Sequence, residues 1–164
     1  MRTLLIAGAL GALVVSLAGC GGLSSASEEA LQQQADYWAI TQLQQNFHRA
    51  TSKKDIDLMM SLYAPNATLT IPGQTAVGQE KIRQFWLTRS DAFLPTNHWI
   101  SETPAYKIRI TADGDRGTLH FECHYIDAKG ATVVVYLTAD QEVARIDGKW
   151  LITDMVIGSG NLTP

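Results

Sequence analysis

Gly117-Thr118-Leu119-His120-Phe121-Glu122-Cys123-His124-Tyr125-Ile126 is the stretch that decides the fold. Large apolar residues occupy every second position, and His120, Glu122 and His124 fill the alternate ones. Successive side chains of a strand point to opposite faces, so this period predicts a half-buried strand. Leu119, Phe121, Cys123 and Tyr125 then face a core, and the polar triplet faces outward. The same grammar extends on both sides. Residues 98–111 read as a long strand with Ile100, Tyr106, Ile108 and Ile110 on one face, and Pro104 marks a bulge or an edge within it. Asp113-Gly114-Asp115 and Asp127-Ala128-Lys129-Gly130 are turns, and residues 131–145 form a third strand. Asp147-Gly148 is a hairpin turn into a fourth strand over residues 149–157.

Upstream the period is helical. Leu31, Ala35, Trp38, Leu43, Phe47 and Ala50 recur at near-helical spacing from Glu28 onward and predict one long buried stripe. Ser52 stands three before Asp55, the pattern of a capping box opening a short second helix with Ile56, Met59, Met60 and Tyr63 inward, ended by Pro65. Residues 67–71 alternate briefly before a Pro72-Gly73 turn. A third helix begins at Gly78 and buries Ile82, Phe85 and Trp86. Helices followed by hairpins predict an α+β domain, with three N-terminal helices packed on one side of a strongly curved antiparallel sheet.

The N-terminus reads as an address. Met1-Arg2 is a positive start, residues 4–17 are an apolar run, and Leu17-Ala18-Gly19-Cys20 resembles the lipobox of bacterial lipoproteins. The run is shorter than the ~20 residues a spanning helix needs. The expected organisation is a signal peptide over 1–19, a lipidated flexible tether over 20–27 with Cys20 as the acylated residue, and a domain over 28–164. Gly21 stands where an aspartate would retain a Gram-negative lipoprotein in the inner membrane, so the expected location is the cell envelope, on the periplasmic side of the outer membrane in such a host. Without Arg2, 12 Lys and Arg stand against 16 Asp and Glu. Nothing in that balance recommends nucleic acid, which requires a clustered basic face. Once Cys20 is acylated, Cys123 is the one remaining thiol and cannot form an internal disulfide; packing must supply the stability.

Taken in order, Phe47, Asp55-Ile56-Asp57, Leu62-Tyr63-Ala64-Pro65-Asn66-Ala67, Gly78, Ile82, Phe85, His98, Asp113-Gly114-Asp115 and Arg145-Ile146-Asp147-Gly148-Lys149-Trp150 resemble the nuclear transport factor 2-like domains. These include SnoaL-type polyketide cyclases, scytalone dehydratase and ketosteroid isomerase. The resemblance implies a cone-shaped, cystatin-like sheet whose concave side, closed by helices, forms a pocket. Residue by residue it carries little chemistry over. Phe47 stands at the isomerase's oxyanion-donor tyrosine and Ile71 at its base, and neither side chain donates or accepts a proton. Ser52 stands at the dehydratase's aspartate, whereas Thr96-Asn97-His98 matches the position of its first histidine.

His98 is therefore the candidate acid–base group. Alternation sends Glu102 to the same strand face, where a carboxylate could hold the imidazole. The competing reading has His98 capping the strand entrance and hydrogen-bonding a backbone carbonyl. His120, Glu122 and His124 are ligand types for zinc or iron, but three ligands in a flat row rarely close around one ion, and no metal is expected. Tyr63, Trp86 and Tyr125 are the rings expected to line the cavity, which suits a small apolar or aromatic ligand. No cofactor motif is present, and none is expected. Two functions follow: a tethered domain binding a small apolar or aromatic molecule or a protein partner, or a cofactor-free cyclase or dehydratase using His98. Val133-Val134-Val135 leaves apolar groups on both faces of its strand, which predicts a homodimer through the outer face.

Overall fold

The computed structural model describes residues 25–101 and 105–159. Cys20, Glu102, Pro104 and most of the expected tether lie outside them. The elements run α1 (Ser25–Lys53), α2 (Ile56–Met60), β1 (Tyr63–Ile71), β2 (Gln74–Val77), α3 (Gln79–Thr88), a 3-10 turn (Asp91–Phe93), β3 (Trp99–Ser101), β4 (Tyr106–Asp113), β5 (Arg116–Asp127), β6 (Thr132–Ile146) and β7 (Lys149–Ser159). One sheet has the order β2-β1-β7-β6-β5-β3, with β4 sharing the outer edge of β5.

In β5, Leu119, Phe121 and Cys123 are fully buried and Tyr125 nearly so, and Phe121 meets Phe47 of α1 with ring centroids 5.5 Å apart. The decapeptide's alternation thus survives folding, and His120, Glu122 and His124 lie outside. Register shifts at Tyr125/Ile126 between β5 and β6 and at Glu142/Val143 between β6 and β7 bend the sheet around the helices. Asp147 (φ 50°) and Gly148 (φ 77°) form the tight β6–β7 turn, both left-handed, as the right-handed twist of a hairpin requires.

Four expectations are corrected. The sheet is mixed: β1 pairs parallel with β7, because the helical excursion returns the chain beside the last strand. The box at Ser52 does not form; α1 continues through it, and Asp55 caps α2 by accepting from the Leu58 amide at 2.9 Å. The expected strand over 98–111 is two, β3 and β4, and Ile100 and Ile108 are exposed rather than inside. In β4, Tyr106 pairs opposite Glu122 and Arg109 opposite His120, both on the outer face, and a bulge at Lys107 (φ 51°) inserts the residue that flips the parity. Finally, Ser25 to Ser27 are already helical, and α1 turns Asp36, Ile40, Leu43, Gln44, Phe47 and His48 inward while Leu31 and Trp38 stand in the open.

Gly117 lies where α1 crosses β5. A Cβ there would collide with the Thr111 carbonyl oxygen and press on Ile40 Cδ1 at 3.2 Å and Val143 Cγ2 at 3.3 Å. Alanine in place of a strand glycine ordinarily gains ~0.5–1 kcal/mol. Here the sign reverses: Gly117→Ala is expected to lose about 2 kcal/mol by overpacking, read as a lower urea midpoint.

Candidate functional site

Trp86, Tyr125 and Met155 meet near the Tyr63 hydroxyl on the concave face. Tyr63, from the start of β1, donates to Met155 Sδ at 3.0 Å. Gln141 sits opposite Met155 in the β6–β7 register, and its Nε2 approaches the same sulfur at 3.9 Å. The Trp86 indole N–H reaches toward the Tyr63 phenol from α3 without a hydrogen bond of normal geometry. Tyr125, from β5, lies within electrostatic reach of Tyr63, and its hydroxyl faces Thr51 of α1, again without a normal bond. The three rings expected to line the cavity, Tyr63, Trp86 and Tyr125, are thus brought together, all buried. Gln44 Nε2, Trp86 Nε1, Tyr125 Oη and Gln141 Oε1 have no hydrogen-bond partner among the described residues. Each such group costs ~1–3 kcal/mol in an apolar interior unless an enclosed water or a ligand satisfies it.

Burial pushes both phenols well above the ordinary tyrosine range; for Tyr125 the neighbouring Cys123 adds to the rise and Thr51 opposes it. The unfolded chain then loses these protons first, near pH ~10. Stability is intact below that pH and falls above it, by up to about 1.4 kcal/mol per pH unit for each phenol. Burial lowers the Lys54 ammonium, an effect of opposite sign. Comparing the native chain with Tyr125→Phe isolates the tyrosine: the variant is expected to show the shallower loss in urea titrations between pH 9 and 11, roughly bracketing the phenol range.

His98 is not part of this interior. Ser101 pairs opposite Tyr125, so Trp99 and Ser101 point inward while His98 and Ile100 point out. Asn97 fixes that parity. Its Oδ1 accepts from the Trp99 amide at 3.2 Å and from Lys54 Nζ at 2.6 Å, and its Nδ2 donates to the Asp91 carbonyl. The His98 main-chain carbonyl accepts from the Ala128 amide at 3.0 Å, a bond that leaves the imidazole out. Sequence reasoning passed over His48, which is fully buried with Nδ1 2.6 Å from Ser101 Oγ. The Ser101 amide in turn donates to Ser52 Oγ at 2.9 Å. The available signal was its place next to Phe47 on the inward face of α1.

The outer face has separate contacts. His120 Nδ1 meets Asp140 Oδ1 at 2.6 Å, Lys107 Nζ meets Glu122 Oε2 at 2.9 Å, and the Tyr106 hydroxyl contacts His124 Nδ1. His120 Nε2 also lies 3.9 Å from Glu122 Oε1, and no group of three or more His, Cys, Asp or Glu among the described residues is placed to hold a metal. Arg109, Thr118, His120, Asp140 and Asp154 line an open depression of about 430 Å³ on this face.

Solved structures share the architecture. An NTF2-like protein with a cystatin-like fold from Novosphingobium aromaticivorans is 14% identical, with a TM-score of 0.74 over 88% of this chain and 94% of that one. A hexachlorocyclohexane dehydrochlorinase from Novosphingobium barchaimii is 18% identical, with a TM-score of 0.67 over 82% and 93%. A cystatin-like protein of unknown function from Nostoc punctiforme is 20% identical, with a TM-score of 0.68 over 79% and 95%. At these identities the likeness is one of fold. No curated protein matches the sequence. The model of the SnoaL-like domain matches residues 32–156, from the inward turn of α1 to the end of the core in β7, and the chain belongs to that family.

Proposed function

We propose that this chain is a lipid-anchored envelope protein whose cone binds a small apolar or aromatic molecule carrying a hydrogen-bonding group. The observation that carries the reading is the set of four buried polar atoms without a hydrogen-bond partner among the described residues, in an interior that includes Tyr63, Trp86 and Tyr125. A flat apolar body packs against the rings, and its one polar substituent pairs with the Tyr125 hydroxyl. The lipobox supplies the anchor at Cys20, and with it the envelope location. A homodimer through the outer face covers Val134, Tyr136 and Val156, all exposed.

Native mass spectrometry of the chain purified without detergent-soluble additives should find a co-purifying small molecule. Tyr125→Phe removes an unmatched hydroxyl, so it should leave the free chain as stable as before or slightly more so, yet weaken that ligand about tenfold. Equal binding by the variant would reject the assignment.

A second reading has one observation in its favour. His48 is a fully buried imidazole bonded to an inward serine, the arrangement that an acid–base group needs and that His98 lacks. In that case His48→Gln keeps the ligand bound and loses its conversion, by ~10²-fold or more. Conversion unaffected by the substitution would eliminate this reading.

A further inference from the structure

We infer that the exposed apolar stripe on the first half of α1 rests on the lipid surface to which Cys20 is tied, an inference that stands on the lipid-anchor reading. Leu31 and Trp38 are 57% and 67% exposed, and Ala35 between them is exposed as well. Spacings of four and seven residues place the three on one helical face, on the far side from Asp36 and Ile40. Further along that face stand Gln42 and Gln45, so the apolar part is confined to the half nearest Cys20.

Reach selects the occupant. The five peptide steps from Cys20 to Ser25 span at most about 18 Å in any conformation. Leu31 and Trp38 stand about 9 and 20 Å along the helix from Ser25. An acylated Cys20 seated in a bilayer therefore keeps Ser25 within about 18 Å of the headgroups, and the apolar half of α1 meets them when the helix lies along the surface. Residues 25–48 include Glu28, Glu29 and Asp36 but no Lys or Arg, so anionic lipid is not the attraction. The contact is apolar, with the indole at headgroup level and the leucine below it. No helix among the described residues is long and apolar enough to cross a membrane, and α1 lies on the surface.

The test uses the full chain made in a bacterial host, its Cys20 modification read by intact mass against Cys20→Ser. The protein is reconstituted into phosphatidylcholine vesicles with or without brominated acyl chains, and the Trp38 signal is the native emission minus that of Trp38→Phe. Brominated lipid should lower that signal by about half, with no relief from added salt and less quenching in Leu31→Ser. An acylated chain with unquenched Trp38 overturns the docking and leaves the anchor standing. Trp38 shielded instead in a concentration-dependent manner, without quenching, overturns it and assigns the stripe to a second copy. An unmodified Cys20 overturns the anchor and this inference together.

Discussion

Asp36→Ala is expected to lower stability by about 3 kcal/mol, a large share of the ~5–15 kcal/mol of a typical domain. Asp36 is 6% exposed, and a single oxygen, Oδ1, receives Arg145 Nη2 at 2.6 Å, Gln32 Nε2 at 3.0 Å and Trp150 Nε1 at 3.2 Å. Arg145 also stacks over Trp150 at 5.1 Å and pairs with Asp115 at 3.1 Å. The carboxylate therefore ties the early part of α1 to β6, β7 and the β4–β5 turn. Truncating it leaves the indole N–H unpaired and the guanidinium with only Asp115 and the Gly114 carbonyl. Arg145 keeps part of its solvent contact, which holds the expectation to the lower end of the range for broken buried pairs. At roughly 2–4 °C per kcal/mol for a domain of this size, Tm should fall by about 6–12 °C. Asp36→Asn keeps an acceptor for Trp150 and should lose about half as much. A native-like midpoint for Asp36→Ala would mean that this network contributes nothing.

Phe121→Ala should be as severe, at about 3–5 kcal/mol. The ring is fully buried between Phe47 and His48, at 5.5 and 5.2 Å between centroids, so nothing nearby can collapse into the space it leaves. One position earlier, His120 bonds a largely exposed Asp140, and His120→Ala should cost within about 1 kcal/mol. Guanidinium unfolding of the two variants side by side tests the face assignment directly. Comparable losses would sink it, since neighbouring residues of one strand would then be sharing a face.

The same face assignment was legible at 117–126 because alternation is local and uninterrupted there. His98 was misread because its parity is not local: Lys54 and the Asp91 carbonyl hold Asn97, and Asn97 turns Trp99 inward. Trp38 was misread for a related reason. Its spacing is helical, but α1 meets the sheet on the side of Asp36, a polar residue that no apolar pattern would select. His48 was missed because one histidine beside Phe47 looks like any other helical residue until Ser101 arrives from β3.

Chain order and period by themselves determined the helices, the β5–β6 and β6–β7 hairpins and the buried side of β5, since each depends on residues within a few positions of one another. Only the tertiary structure decided that β1 runs parallel to β7, that Asp36 is buried and Leu31 is not, and that His48 is buried against Ser101 and Phe121 while His98 is exposed. Those outcomes depend on bulges and on contacts between residues far apart in sequence, where one inserted residue reverses every face that follows.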